Sequence, residues 1–305
     1  MIRAALLVAL AALAIVFIVR WRAAASHGVK SATQSTKRPS LLQIAIGFVT
    51  DFFDTLGIGS FATTTTVYKL LRVVPDERIV GTLLVGHSLP VVVQAFIFLV
   101  VVRVDPVVLA ALIAVSVVGS WLGAGVVSRL PLRPIQIGMG IGLVAAASFM
   151  VLSQLGMLPG AGTSLTLTPG KLIFALVANF ILGALLMLGI GNYAPSLILF
   201  SLLGMDPRAA FPIMMSSGAM MAMAGGLRFM KAGRFDTRAA LGLTLGGIPA
   251  VLIAGLLVRS LPLNVLRWVV VFVVIYAAAM MLRSGFARRR PGSVDEGLLQ
   301  PEPVP

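Results

Sequence analysis

The stretch Leu56-Gly57-Ile58-Gly59-Ser60 interrupts a long apolar segment between Leu41 and Leu71. A second apolar segment, from Lys171 to Leu203, is interrupted in the same way by Leu188-Gly189-Ile190-Gly191-Asn192. Each glycine weakens a helix by about 1 kcal/mol relative to alanine. Both segments are therefore predicted to be broken helices, each made of two half-helices that meet at the glycine pair.

The two breaks belong to an internal repeat. Five features recur in the same order in both halves, at one nearly constant spacing. The pairs are Gly57 and Gly189, Gly59 and Gly191, Pro75 and Pro207, Gly86 and Gly218, and the turns Leu130-Pro131-Leu132 and Leu261-Pro262-Leu263. Single matches mean little in a glycine-rich chain, but five ordered matches indicate two diverged copies of one unit.

The composition indicates that lipid surrounds most of this chain. Of its 305 residues, 59% are hydrophobic and 11% are charged, whereas a soluble domain carries about 25% charged residues. The net charge of +14 comes from short basic clusters between apolar runs, a pattern of membrane topology rather than of nucleic-acid binding. There is no cysteine and there are two histidines, so we expect neither a metal centre nor a cofactor.

Apolar runs of nearly membrane-spanning length surround the broken segments. A helix needs about 20 residues to cross the hydrocarbon core. The uninterrupted helices are predicted at about 2–20, 79–102, 106–128, 134–155, 208–229, 239–258 and 265–284.

The distribution of basic residues favours re-entrant hairpins at both breaks. If each broken segment enters and leaves on one side, about three quarters of all Lys and Arg face the cytoplasm; if each crosses once, about five eighths do. In the re-entrant arrangement each unit crosses an odd number of times, so the two copies are inverted. Inverted repeats with broken helices are the architecture of secondary transporters.

The predicted fold is thus an all-α polytopic membrane protein with two inverted repeats. Each repeat is a broken re-entrant hairpin plus three transmembrane helices. The boundaries are an N-terminal helix and basic linker (1–40), a first repeat (41–155), a linker (156–168), a second repeat (169–286) and a disordered tail (287–305). We expect the N-terminus outside and the C-terminus in the cytoplasm, with cleavage of residues 1–25 and homodimer formation left open.

The breaks are the predicted substrate site. A half-helix that begins near Ser60 presents free N–H groups and a positive dipole end, which suit an anion. The alternative is that the small residues only allow close helix packing. The predicted binding residues are Gly57, Gly59, Ser60, Thr63, Thr64, Gly189, Gly191, Asn192, Tyr193, His87, Ser88, Ser216 and Ser217.

Three ionisable residues are candidates for proton coupling. Asp51 and Asp54 are three residues apart and share a helix face, and His87 lies within a spanning helix. Intramembrane ionisable residues are functional by default. The structural alternatives are that Asp51 faces a vestibule or pairs with Lys69 or Arg72, and that His87 bonds a neighbouring helix.

The Gly-Ile-Gly break in each half, the proline about sixteen residues later and the Leu-Pro-Leu turns resemble the sulfite exporter TauE/SafE family of membrane permeases. The resemblance covers roughly Leu41–Leu282. It implies transport of sulfite, sulfonates or related organosulfur anions across a bacterial inner membrane, with Leu56–Ser60 and Leu188–Asn192 as the substrate region. One departure is Asp51-Phe52-Phe53-Asp54, where family members often have small residues.

The predicted function is secondary transport of a small anion by alternating access, with the lipid bilayer as the other partner. Two alternatives stay open. The first is a passive anion channel, in which constrictions select ions without a conformational cycle. The second is an intramembrane enzyme that uses Asp51, Asp54 and His87.

Overall fold

The computed structural model describes residues 1–28, 38–127, 132–155, 157, 162–186, 193–260 and 262–286. Within this part of the chain the protein is helical, and one isolated β-bridge joins Ser164 and Met205. The helices are α1 (Ile2–Gly28), α2 (Leu41–Thr55), α3 (Ser60–Leu71), α4 (Asp76–Val101), α5 (Pro106–Val127), α6 (Leu132–Gln154), α7 (Pro169–Leu186), α8 (Tyr193–Leu202), α9 (Pro207–Lys231), α10 (Thr237–Ser260) and α11 (Leu263–Phe286).

Six of the described helices are long and apolar enough to cross a membrane. Large apolar side chains such as Ile15, Val118 and Phe272 stay exposed on the outer surface, as expected where lipid replaces water. The six spans lie in α1, α4, α7, α9, α10 and α11. The chain is a multi-pass membrane protein.

The first predicted break is present as a turn between α2 and α3. A capping box at Ser40 starts α2: the Gln43 amide donates to Ser40 Oγ, and the Ser40 amide donates to Gln43 Oε1. Gly57 and Gly59 have φ angles of 98° and 86°, a region that side chains with a Cβ rarely adopt. The two glycines therefore end one helix and allow the next to begin.

The helices α2 and α3 form a hairpin. Ile46 near the start of α2 and Tyr68 near the end of α3 belong to one hydrophobic cluster, together with Ile79 of α4 and Ala239 of α10. The open ends of the hairpin therefore lie at the same level as the first turns of α4 and α10. In the second half, Lys171 Nζ donates to the Leu203 carbonyl at 2.8 Å, which joins the start of α7 to the end of α8.

Helices α4 and α9 are the two most buried spans, and they run antiparallel. Phe98, near the end of α4, stacks on Phe211, near the start of α9, with ring centroids 4.9 Å apart. At the opposite end, Gly81 of α4 lies against Phe229 of α9. Helices α6 and α11 are antiparallel as well, because Arg133 Nε donates to the Gly285 carbonyl and Gln154 Nε2 donates to Asn264 Oδ1.

Helices α2 and α7 each pack in parallel against a helix of the other half. Helix α2 lies along α10, where Gly47 leaves no space for a Cβ beside Leu243. Helix α7 lies along α5, and Asn179 Nδ2 donates to the Leu112 carbonyl at 2.7 Å. Glycines at these crossings let the helix backbones approach closely.

Three predictions about the fold need comment. Helix α1 continues to Gly28, past the predicted end near residue 20, and Trp21 is buried and packs on Phe17. In the described part of the predicted linker 156–168, the Ser164 carbonyl accepts the backbone N–H of Asp206 at 2.8 Å, which ties the linker to the segment before α9. The second break at Leu188–Asn192 and the tail 287–305 lie outside the described residues.

Candidate functional site

A buried carboxylate, imidazole and hydroxyl connect three helices beside the first break. His87 Nδ1 of α4 lies 2.9 Å from Asp51 Oδ1 of α2, and His87 Nε2 lies 3.1 Å from Thr64 Oγ1 of α3. All three side chains are fully buried. Because a neutral imidazole has one donor and one acceptor nitrogen, a donating Nδ1–H leaves Nε2 to accept the Thr64 hydroxyl.

Asp54 forms a second buried polar group one turn away. Its Oδ1 accepts the backbone N–H of Ser60 at 2.5 Å, and its Oδ2 accepts Gln94 Nε2 at 2.9 Å. Gln94 Nε2 also lies 3.0 Å from Thr55 Oγ1. A carboxylate at the N-terminus of α3 is stabilised by the free amide and by the positive end of the helix dipole.

These contacts bear on one alternative and one expectation from the sequence. Asp51 pairs with His87, not with Lys69 or Arg72, because the side chain of Asp51 lies on the face of α2 that meets α4 and α10. The start of α3 was expected to offer free amides to an external anion. In this structure the amide of Ser60 donates to Asp54.

A small cavity lies beside Asp54 and is lined by residues of both halves. Its volume is about 50 Å³. The first half contributes Asp54, Gly59 and Ser60, and the second half contributes Tyr193 and Gly218. The Tyr193 ring packs so closely on Gly218 that a Cβ would lie 3.0 Å from its Cε1 atom. The structure therefore places Tyr193 beside the first break.

The predicted hydroxyls divide into two groups. Thr63, Ser88 and Ser217 donate to carbonyls of their own helices, at 2.8, 2.5 and 2.9 Å. These bonds fit the alternative to a binding site, in which the small residues serve helix packing. Ser60 Oγ and Ser216 Oγ are buried and have no hydrogen-bond partner among the described residues. Ser60 Oγ is thus available to a ligand in the cavity that Ser60 lines.

The remaining predicted residues differ in their position. Gly57 lies in the turn, where a Cβ would be 3.3 Å from Leu197 of α8, whereas Gly59 has open space around it. Gly189, Gly191 and Asn192 lie outside the described residues.

Gln94 is a polar residue of this network that the sequence analysis missed. It lies seven positions after His87 in α4, a spacing that puts both on the same helix face. The signal in the sequence was an amide side chain within an apolar span, and the structure shows that this side chain is fully buried.

A larger cavity of about 280 Å³ lies at the other end of α4 and α9. Its lining combines apolar side chains such as Phe98 and Phe211 with Arg103, Asp206 and Arg208. Arginines at the mouth of a membrane protein attract small anions through their positive potential.

Comparison with known proteins agrees with the sequence resemblance. The sequence model of the sulfite exporter TauE/SafE family matches residues 1–150 and 153–303. The chain belongs to the sulfite exporter TauE/SafE family. The match extends beyond Leu41–Leu282 and includes α1, so this TauE/SafE protein is a transmembrane transport permease over nearly its whole length. No curated protein and no solved structure is significantly similar to the chain.

Proposed function

We propose that this permease is a secondary transporter of a small sulfur oxyanion, with sulfite as the leading substrate, and that it works by alternating access. The observation that carries the proposal is the cavity at the first break. There, the N-terminus of α3 and Tyr193 of the other half meet a buried carboxylate, beside a Ser60 hydroxyl that has no partner among the described residues. Such a site can hold a negative charge out of water.

The packing of α4 and α9 supports an inverted relation between the proposed repeats 41–155 and 169–286. If the second broken segment crossed the membrane once, α4 and α9 would run in the same direction. Their contacts instead pair the end of α4 with the start of α9. This favours the re-entrant arrangement. The excess of basic residues on one face favours an N-terminus outside and a C-terminus in the cytoplasm, and we propose a bacterial inner membrane as the location.

The size of the cavity favours a compact oxyanion over an organic sulfonate. A volume of about 50 Å³ is room for a few water molecules, since one water needs roughly 10–15 Å³ of cavity volume. An anion of a few atoms such as sulfite therefore needs little rearrangement, whereas an alkylsulfonate needs space for its carbon chain.

We further propose that Asp51, Asp54 and His87 carry protons during transport. His87 bridges Asp51 of α2 and Thr64 of α3, so protonation of the imidazole changes a contact that holds the hairpin to α4. An ionisable residue at such a contact can couple proton movement to a conformational step.

Sulfite flux into proteoliposomes tests the function. We expect saturable flux from the purified protein and a loss of at least about tenfold in Thr64→Val, because the valine cannot bond His87. Thr66→Val is the matched control, since Thr66 lies half a turn away, is exposed and bonds only its own helix. Flux absent from the wild type, or equal in the two variants, would contradict the proposal, and unitary currents would indicate a channel.

A further inference from the structure

The strongest unexplained feature of the site is the position of the Asp54 carboxylate. Asp54 is almost fully buried, and its Oδ1 takes the first amide of a twelve-residue helix. This is the amide that a bound anion would use. Ser60 Oγ, which is buried and has no partner among the described residues, belongs to the same residue and lines the same cavity.

The cavity cannot hold two negative charges at low cost. Its volume is about 50 Å³, so an anion that reaches the Ser60 amide lies next to Asp54. Like charges at that separation in a buried site repel strongly, and one of them is neutralised instead. The other titratable groups facing this region are Asp51 of α2, His87 of α4 and Tyr193 of α8.

We propose that Asp54 is an internal substitute for the substrate anion. Resting on the proposed transport function, this inference assigns two alternative occupants to one site. In the empty transporter the Asp54 carboxylate accepts the Ser60 N–H. When the substrate enters, the carboxylate takes one proton from solution, and the Ser60 amide and hydroxyl bond to the substrate oxygens. Each anion bound therefore brings one proton with it.

Gln94 supports this exchange. Its Nε2 donates to Asp54 Oδ2, while its Oε1 is buried without a partner among the described residues. A protonated carboxyl group needs an acceptor for its O–H. A half-turn of the Gln94 amide about its Cγ–Cδ bond would exchange Nε2 for Oε1 beside Asp54, so the same side chain can serve both protonation states.

Calorimetric titration of the purified protein with sulfite tests the inference. The titration is repeated in two buffers with different heats of ionisation, and the difference in the measured heat counts the protons taken up. Both buffers are mildly alkaline, so that free sulfite is a dianion. We expect the wild type to take up about one proton per anion. Asp54→Asn should bind sulfite about tenfold more tightly with no proton uptake, because the competing charge is gone.

Two controls complete the experiment. Glu77→Gln removes an exposed carboxylate from the first turn of α4 and should match the wild type. Ser60→Ala should weaken binding and keep the proton count, and it preserves the test should Asp54→Asn fail to fold. Binding without proton uptake in the wild type, an unchanged count in Asp54→Asn, or sulfite binding to neither protein would overturn the inference.

The calorimetry is independent of the transport assay. Sulfite flux without proton uptake on binding would leave the transport function standing and remove the exchange at Asp54. Proton-linked binding without flux would support the exchange and contradict the transport function.

Discussion

The two halves of the molecule pack alike and differ in their chemistry. Helices α2 and α7 each lie parallel to a helix of the opposite half, at positions related by the spacing of the sequence repeat. The related contacts are Gly47 with Leu243 and Asp51 with Gly247 in the first half, and Asn179 with Leu112 and Gly183 with Ser116 in the second.

The buried carboxylates, with their imidazole and glutamine partners, all lie in the first half, whereas Tyr193 of the second half lines the cavity. Asp51, Asp54, His87 and Gln94 correspond to Gly183, Leu186, Ala219 and Gly226. Thr64 bonds His87, whereas its counterpart Ser196 has a buried hydroxyl without a partner among the described residues. Among the described residues, close helix contacts recur in both halves, whereas the bonded carboxylates and imidazole lie in the first half.

Breaking the Asp51–His87 pair should give the largest effect. Asp51→Ala leaves the buried His87 imidazole without its carboxylate partner, and loss of one partner of such a pair costs about 3 kcal/mol or more. We expect a marked fall in the melting temperature in detergent and loss of sulfite flux. The double variant Asp51→Ala/His87→Ala should recover part of the stability and none of the flux. Additive losses of stability would show that the two residues are not coupled.

Glycine substitutions at the helix crossings sharpen the packing side of the comparison. A Cβ at Gly47 would overlap the Leu243 backbone, and one at Gly183 would overlap the Ser116 carbonyl. Gly47→Ala and Gly183→Ala should each destabilise the protein by about 2 kcal/mol, measured by thermal unfolding. Gly138→Ala is the control, because nothing lies within 4 Å of the added Cβ. A loss of stability in only one of the two variants would show that the two helix crossings are not equivalent.

Replacement of Gln94 should have a smaller effect that is mainly functional. Gln94→Met keeps the length of the side chain and removes the donor to Asp54. A hydrogen bond to a charged group contributes about 1.5 to 3 kcal/mol, so we expect sulfite flux to fall by about tenfold or more. The control is Gln154→Met, whose side chain is outside the site. Unchanged flux in Gln94→Met would exclude Gln94 from the site.

The smallest effect is expected at the mouth of the second hairpin. Lys171→Met removes an exposed donor to the Leu203 carbonyl, a bond at a helix C-terminus worth about 0.5 kcal/mol. The melting temperature should fall by a degree or two, with sulfite flux retained. A large loss of flux would show that the second hairpin mouth takes part in transport.

The sequence predicted the helices and the first break, because glycine pairs and apolar length act locally. It could not predict that His87 faces Asp51, since that depends on the rotation of α4 relative to α2 about their axes. Asp54 bonding Ser60 was missed for a different reason. The contact spans six residues around a turn whose two glycines both have positive φ, and capping rules describe residues adjacent to the helix start.

Pro90 lies between His87 and Gln94 in α4 and has no N–H to give to the Gly86 carbonyl. Thr244 of α10 supplies the missing donor, with Oγ1 2.6 Å from that oxygen. If α10 moves away from α4, it leaves an orphaned amide oxygen, which costs about 1 to 3 kcal/mol. A barrier raised by that amount slows a motion by about five- to 150-fold. A separation of the two helices would therefore be slowed in part by one threonine that is not among the residues lining the cavity.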